Sequence, residues 1–157
     1  MRLLISGCPK KISLKSVREA AKFFTNHLMS TRLRKGISVR IVFISNFHEM
    51  TGNFGDCGPE YSDERPRNFL IRIDSAQSVK SILKTLAHEL AHVKSYACGD
   101  LKDYLYSNKL KWRGKLFSAD DSDESYWLAP WEIEAHGYEY CLYKLFQRYI
   151  EDKRKST

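Results

Sequence analysis

Apolar residues recur along this chain with two different periods, and the changes of period mark out its elements. Met1 to Ser6 reads as a short strand. Over residues 13–35 Leu14, Val17, Ala21, Phe24 and Leu28 return at helical spacing, with Ser13 placed to cap the start and Gly36 able to end it. Residues 37–45 switch to alternation: Ile37, Val39, Ile41 and Phe43 predict a strand. A glycine- and proline-containing stretch, 46–67, predicts a long loop. It leads to a second strand at 68–74, where Phe69, Ile71 and Ile73 share a face. From about 78 to 97 a strong helical pattern follows Asp74 and Ser75. Residues 99–128 have little periodicity, turn from basic to acidic, and suit a lid or excursion. Pro130 is a good first-turn residue for a last helix running to about Ile150. Its expected apolar stripe is Trp131, Ala135, Tyr138, Leu142, Leu145 and Tyr149. The order predicts an α+β fold in one domain, residues 1–150, with 151–157 as a frayed tail.

The 157-residue length suits a single sizeable core, and 43% hydrophobic with 29% charged residues is ordinary for a globular domain. No apolar run approaches the ~18 residues that cross a membrane, and the N-terminus is too short for a signal peptide. A cytoplasmic protein with no membrane role is expected. The four cysteines, Cys8, Cys57, Cys98 and Cys141, are scattered without a CxxC pair, which suits free thiols in a reducing compartment. Net charge is +7. The positive residues are dispersed and accompany no nucleic-acid motif, so a solvated basic surface is preferred over a nucleic-acid partner.

The chemistry concentrates at His88-Glu89-Leu90-Ala91-His92, an H-E-x-x-H motif. Histidines four apart lie one helical turn above each other, so both imidazoles can reach one ion. Zinc suits imidazole nitrogen and leaves a position open for water in catalytic sites. Glu89, about 100° around the helix, can lean towards that water as general base. Val79, Ile82, Leu83, Leu86, Leu90, Val93 and Ala97 gather on one side of the helix and His88 and His92 on the other, so the core does not need the histidines. A third ligand is required. Of the other histidines, His27, His48 and His136, only the last lies in a ligand-rich stretch, Trp131-Glu132-Ile133-Glu134-Ala135-His136. Glu132 and His136 share a helix face while Glu134 points elsewhere, and the candidates in order are Glu132, Glu134 and His136.

These two stretches together resemble the gluzincin pattern of zinc metallopeptidases, whose downstream helix supplies a Glu ligand. Membrane members of that group carry E-x-E-A-D there with the first Glu as ligand, which favours Glu132; His136 stands where they have Asp. The compact layout is also similar to SprT-like proteins and small phage metallopeptidase-like proteins, although SprT-like proteins place a third His soon after the motif. The resemblance implies a zincin-like fold, a Zn2+ cofactor held by His88, His92 and Glu132, and Glu89 as catalytic base in peptide hydrolysis. It also implies that the strand before the active helix, Asn68 to Asp74, binds an extended peptide by strand addition. Tyr96, Tyr126 and Tyr138 are candidate oxyanion donors, and His136 is placed to orient Glu132 or His88. A nucleic-acid-associated protein and a structural zinc module are the alternatives. Substrate identity and oligomeric state have no signature in the sequence.

Overall fold

The computed structural model describes residues 1–61, 65–104, 109–118 and 127–156. The fold is α+β. Its main sheet is built from β1 (Arg2–Ser6), β2 (Ser38–Ile44), β3 (Gly55–Pro59) and β4 (Asn68–Asp74), in the order β1-β2-β4-β3. The first three of that order run parallel, and β3 runs antiparallel to β4 at the edge. Register aligns Val39 with Phe69, Ile41 with Ile71 and Phe43 with Ile73, so the alternating apolar residues of β2 and β4 form one buried face.

Helices α1 (Leu14–Leu28), α4 (Val79–Cys98) and α5 (Pro130–Lys155) cover that face, with the short α2 (Thr31–Lys35) and α3 (Phe47–Thr51) in connections. α4 lies at the centre. Ile82, Leu86, Leu90, Val93 and Ala97 pack down into a core shared with Val17, Ala21 and Phe24 of α1 and Leu142 and Phe146 of α5. Burying each such large side chain contributes about 1.5–3 kcal/mol. A second, three-stranded antiparallel sheet follows α4: β5 (Leu101–Tyr104), β6 (Lys109–Trp112) and β7 (Lys115–Ser118).

Several expectations need correction. The helix expected over 13–35 is two helices, because Met29 is extended and the Ser30 hydroxyl accepts from the Leu33 N–H to start α2. The stretch 46–67 holds α3 and β3 within the expected loop. Gly-Asp-Cys-Gly-Pro has no strand propensity of its own and becomes a strand through its ladder with β4. β4 is flanked by β2 and β3, so its backbone hydrogen bonds are already taken on both sides. It cannot add a peptide strand; the edge strand beside α4 is β3. The excursion over 99–128 contains the second sheet, with 119–126 outside the described residues. The last helix continues to Lys155, beyond the expected end near Ile150 and through most of the expected tail. Its buried stripe is also rotated: Phe146 is buried, while Leu145 and Tyr149 are exposed. Among the described residues, no helix is long and apolar enough to cross a membrane.

Candidate metal centre

Ser78 caps α4 by accepting from the Ser81 N–H, and from Leu86 to Val93 the helix is buried all round. The core lies beneath it; β3 and the first turns of α5 lie above. α5 starts at Pro130, and this brings Glu132, only 5% exposed, over the two histidines. His88 Nε2 and His92 Nε2 are 3.1 Å apart. Glu132 Oε2 is 3.2 Å from His88 Nε2, and Glu132 Oε1 is 3.3 Å from His92 Nε2. Three donor groups from two helices thus form a triangle with nearly equal sides. Ligand atoms about 2.0–2.1 Å from a tetrahedral zinc ion stand about 3.3 Å apart, so the residues present fit this ion.

Proton accounting points the same way. Two ring nitrogens and a carboxylate converge, and each can offer a lone pair to the others. Glu132 Oε2 and His88 Nδ1 are cut off from solvent without a well-directed hydrogen bond, an arrangement that costs about 1–3 kcal/mol per group unless a cation or proton satisfies it. In the metal-free protein burial alone would lower the His88 pKa, but the nearby carboxylates of Glu132 and Glu139 and the charge of Glu89 bring it up to about 10. Burial likewise opposes ionisation of Glu132, and the two histidines more than offset it, holding that carboxyl well below the usual range.

Glu134 is excluded from the triangle. It pairs with Lys94 at 2.8 Å and Arg113 at 2.5 Å, tying α5 to α4 and to the second sheet. His136 lies close without closing the triangle. One ligand-capable atom each of His88, Glu132 and His136 fall within 4.8 Å of one another, a looser group than the first. His136 does not orient Glu132: its Nδ1 is 3.2 Å from Glu139 Oε2, and its Nε2 is buried without a partner. Glu139 is the residue that sequence reasoning missed. Its Oε2 stands 3.5 Å from His88 Nδ1, long for a hydrogen bond, and its Oε1 is 2.6 Å from Lys84 Nζ. The imidazole of His88 close by, against the effect of burial and with help from Lys84, lowers the Glu139 pKa to about 2. A carboxylate behind a liganding imidazole fixes its tautomer and direction. Glu132, His136 and Glu139 stand at i, i+4 and i+7, and that spacing was the available signal.

Beside the triangle opens a cleft of about 600 Å³, lined by His48, Phe54, Gly55, Glu89, Trp127 and His136 among others. Glu89 is 4% exposed, and burial raises its pKa to about 7 despite the two histidines. It is pressed against the sheet edge: a Cβ on Gly55 would lie 3.1 Å from Glu89 Oε1 and 2.5 Å from Thr85 Cγ2. His48 stacks on Phe54 at 4.0 Å, and Trp127 stacks on His136 at 5.0 Å, so two aromatic pairs line the cleft. Of the candidate oxyanion donors, Tyr138 lies beneath Lys94 and Tyr126 falls outside the described residues. Tyr96 is held well above its ordinary pKa by burial and by negative charges including Glu132 and Glu89. The four cysteines are free and absent from the triangle. Among known proteins the chain matches no family model, no curated protein and no solved structure.

Proposed function

We propose that this chain is a zinc-dependent peptidase of zincin-like type, in which His88, His92 and Glu132 hold the metal and Glu89 is the general base. The observation that carries the reading is the triangle of two imidazoles and a carboxylate, 3.1–3.3 Å on a side, next to a cleft with Glu89 in its wall. The resemblance to gluzincins agrees with it, since the carboxylate comes from a downstream helix. When bound, zinc would polarise a carbonyl and lower the pKa of a water towards ~7. The chain's own residues do the rest. Glu89, raised by burial to about 7, is poised to take a proton at neutral pH and return it to the leaving amine. Glu139 orients His88. β3, paired only with β4 among the described residues, reaches the cleft at Gly55, and an extended peptide would add to its outer edge rather than at β4.

The test is cleavage of casein by zinc-matched wild-type and Glu89→Gln proteins. Wild type is expected to cleave, and the variant to keep its zinc and fold while losing a factor of about 10²–10⁴ in rate. Equal cleavage by both would contradict the role of Glu89. A zinc-loaded wild type that cleaves neither casein nor unstructured peptides would leave a structural zinc module.

A further inference from the structure

We infer that His136 is a fourth, displaceable ligand of the ion held by His88, His92 and Glu132, so that the resting site is closed. The inference rests on the metal reading of that site and adds what water and substrate must displace. One ligand-capable atom of His136 lies within 4.8 Å of such atoms of His88 and Glu132. Its neighbours decide which nitrogen is free. Nδ1 stands 3.2 Å from Glu139 Oε2, and an ionised carboxylate can only accept, so Nδ1 carries the ring proton. Nε2 then keeps its lone pair, as a metal-binding imidazole requires. The same Glu139 oxygen stands 3.5 Å from Nδ1 of His88. A carboxylate behind a ring is the arrangement that orients a liganding imidazole, and here one carboxylate faces two such rings. His136 Nε2 and Glu132 Oε2 are both closed to water and without a hydrogen-bond partner. Two buried acceptors in one cluster are satisfied together by a small cation.

The fourth ligand differs from the other three in how firmly it is held. The side chains of His88, His92 and Glu132 are 9%, 10% and 6% exposed, and that of His136 is 38% exposed. His136 forms part of the cleft wall, where it stacks on Trp127. Ligand atoms around a tetrahedral zinc ion stand about 3.3 Å apart, so the 4.8 Å group closes through rotation of a side chain that has room to rotate. The same freedom lets it leave. With four protein donors a tetrahedral ion has no position for water, as in closed structural sites. With His136 displaced, one position opens to the cleft that His136 and Glu89 both line. A molecule that enters the cleft with a metal-binding group therefore opens the site by replacing this ring.

The test is nitrogen-15 NMR of the five histidine rings in the full chain, with zinc content measured on the same sample. A ring nitrogen bound to zinc resonates between a bare nitrogen and an N–H, so each liganding ring is seen separately. Zinc loading is expected to move Nε2 of His88, His92 and His136 to the bound position, with Nδ1 of His136 protonated throughout. His136→Gln identifies the third ring by its loss and should keep the zinc. If that variant does not fold, the number of bound ring nitrogens in wild type, three or two, decides alone. Acetohydroxamate, a small zinc chelator, should then return Nε2 of His136 alone to its unbound position. Failure of wild type to take up zinc would remove the metal reading and this inference with it. Zinc bound with His88 and His92 shifted and His136 unmoved would leave that reading intact and overturn the role of His136. A His136 signal that stays in the bound position at every acetohydroxamate concentration would overturn displacement and make the zinc structural.

Discussion

Glu132 and Glu134 stand two residues apart in the first turns of one helix and face different partners. Glu132 meets two imidazoles in a buried site, and Glu134 meets a lysine and an arginine at its border. Glu132→Gln is therefore expected to weaken zinc binding far more than Glu134→Gln, as a neutral amide is a poor ligand. The second change should instead lower stability by about 1 kcal/mol, because its ion pairs are only partly shielded from water. A zinc titration and a denaturant melt of the two variants check this, and greater zinc loss in Glu134→Gln would contradict it. Gly55 gives a second test. Its backbone is ordinary for a strand, but a methyl group there would collide with Thr85 and approach the Glu89 carboxylate. Gly55→Ala should displace β3, cost about 1–3 kcal/mol of stability and slow turnover, with zinc content retained. Zinc lost together with activity would mean that β3 supports the ligands rather than the base.

At the scale of elements, α4 and α5 bring their charged groups together in a way that depends on pH. In the metal-free protein His88 is raised from 6.5 to about 10, so its contribution to stability is complete below 6.5 and lost as pH rises through 10. Glu89 is raised from 4.5 to about 7, so its ionisation also destabilises the fold as pH rises over that range. Glu139 is lowered from 4.5 to about 2, so its contribution is present above 4.5 and lost as pH falls towards 2. The metal-free melting temperature should therefore peak near pH 5 and decline towards pH 9. Zinc binding displaces the His88 proton, so the increment from added zinc should grow over the same alkaline range. A metal-free melt that is flat from about pH 5 to 9 would contradict the pairing of these groups.

The same elements show what was legible in the residues. α4 was, because twenty residues carry one apolar period on one face and the motif on the other. β2 and β4 were, because their alternation survives intact into the buried face. β3 was not, since Gly55 to Pro59 form a strand only against β4. Nor was the second sheet: its strands have four residues each, too short for alternation to stand out among lysines. The grouping of the candidate ligands was readable to the extent that it follows helical spacing. His88 and His92 are one turn apart, and Glu132 opens a helix. Glu139 was hidden because its role depends on the angle at which α5 crosses α4, which no spacing within one helix contains.

For the whole molecule, the triangle ties the chain's centre to its last helix across the intervening second sheet. A zinc ion held there would stabilise the folded state by mass action, so chelation should lower the melting temperature and added zinc restore it. An unchanged melt after verified metal removal would show that core packing, with Leu142 and Phe146 against α4, suffices to hold α5. The central claim is that His88, His92 and Glu132 hold zinc. X-ray absorption at the zinc edge, with metal content measured on the same sample and on His88→Ala, tests it most directly. The account predicts about one zinc ion per chain, bound by imidazole nitrogen and carboxylate oxygen without sulfur, and its loss in the variant. Absence of zinc from the wild type, sulfur in its coordination, or equal zinc in both proteins would contradict it.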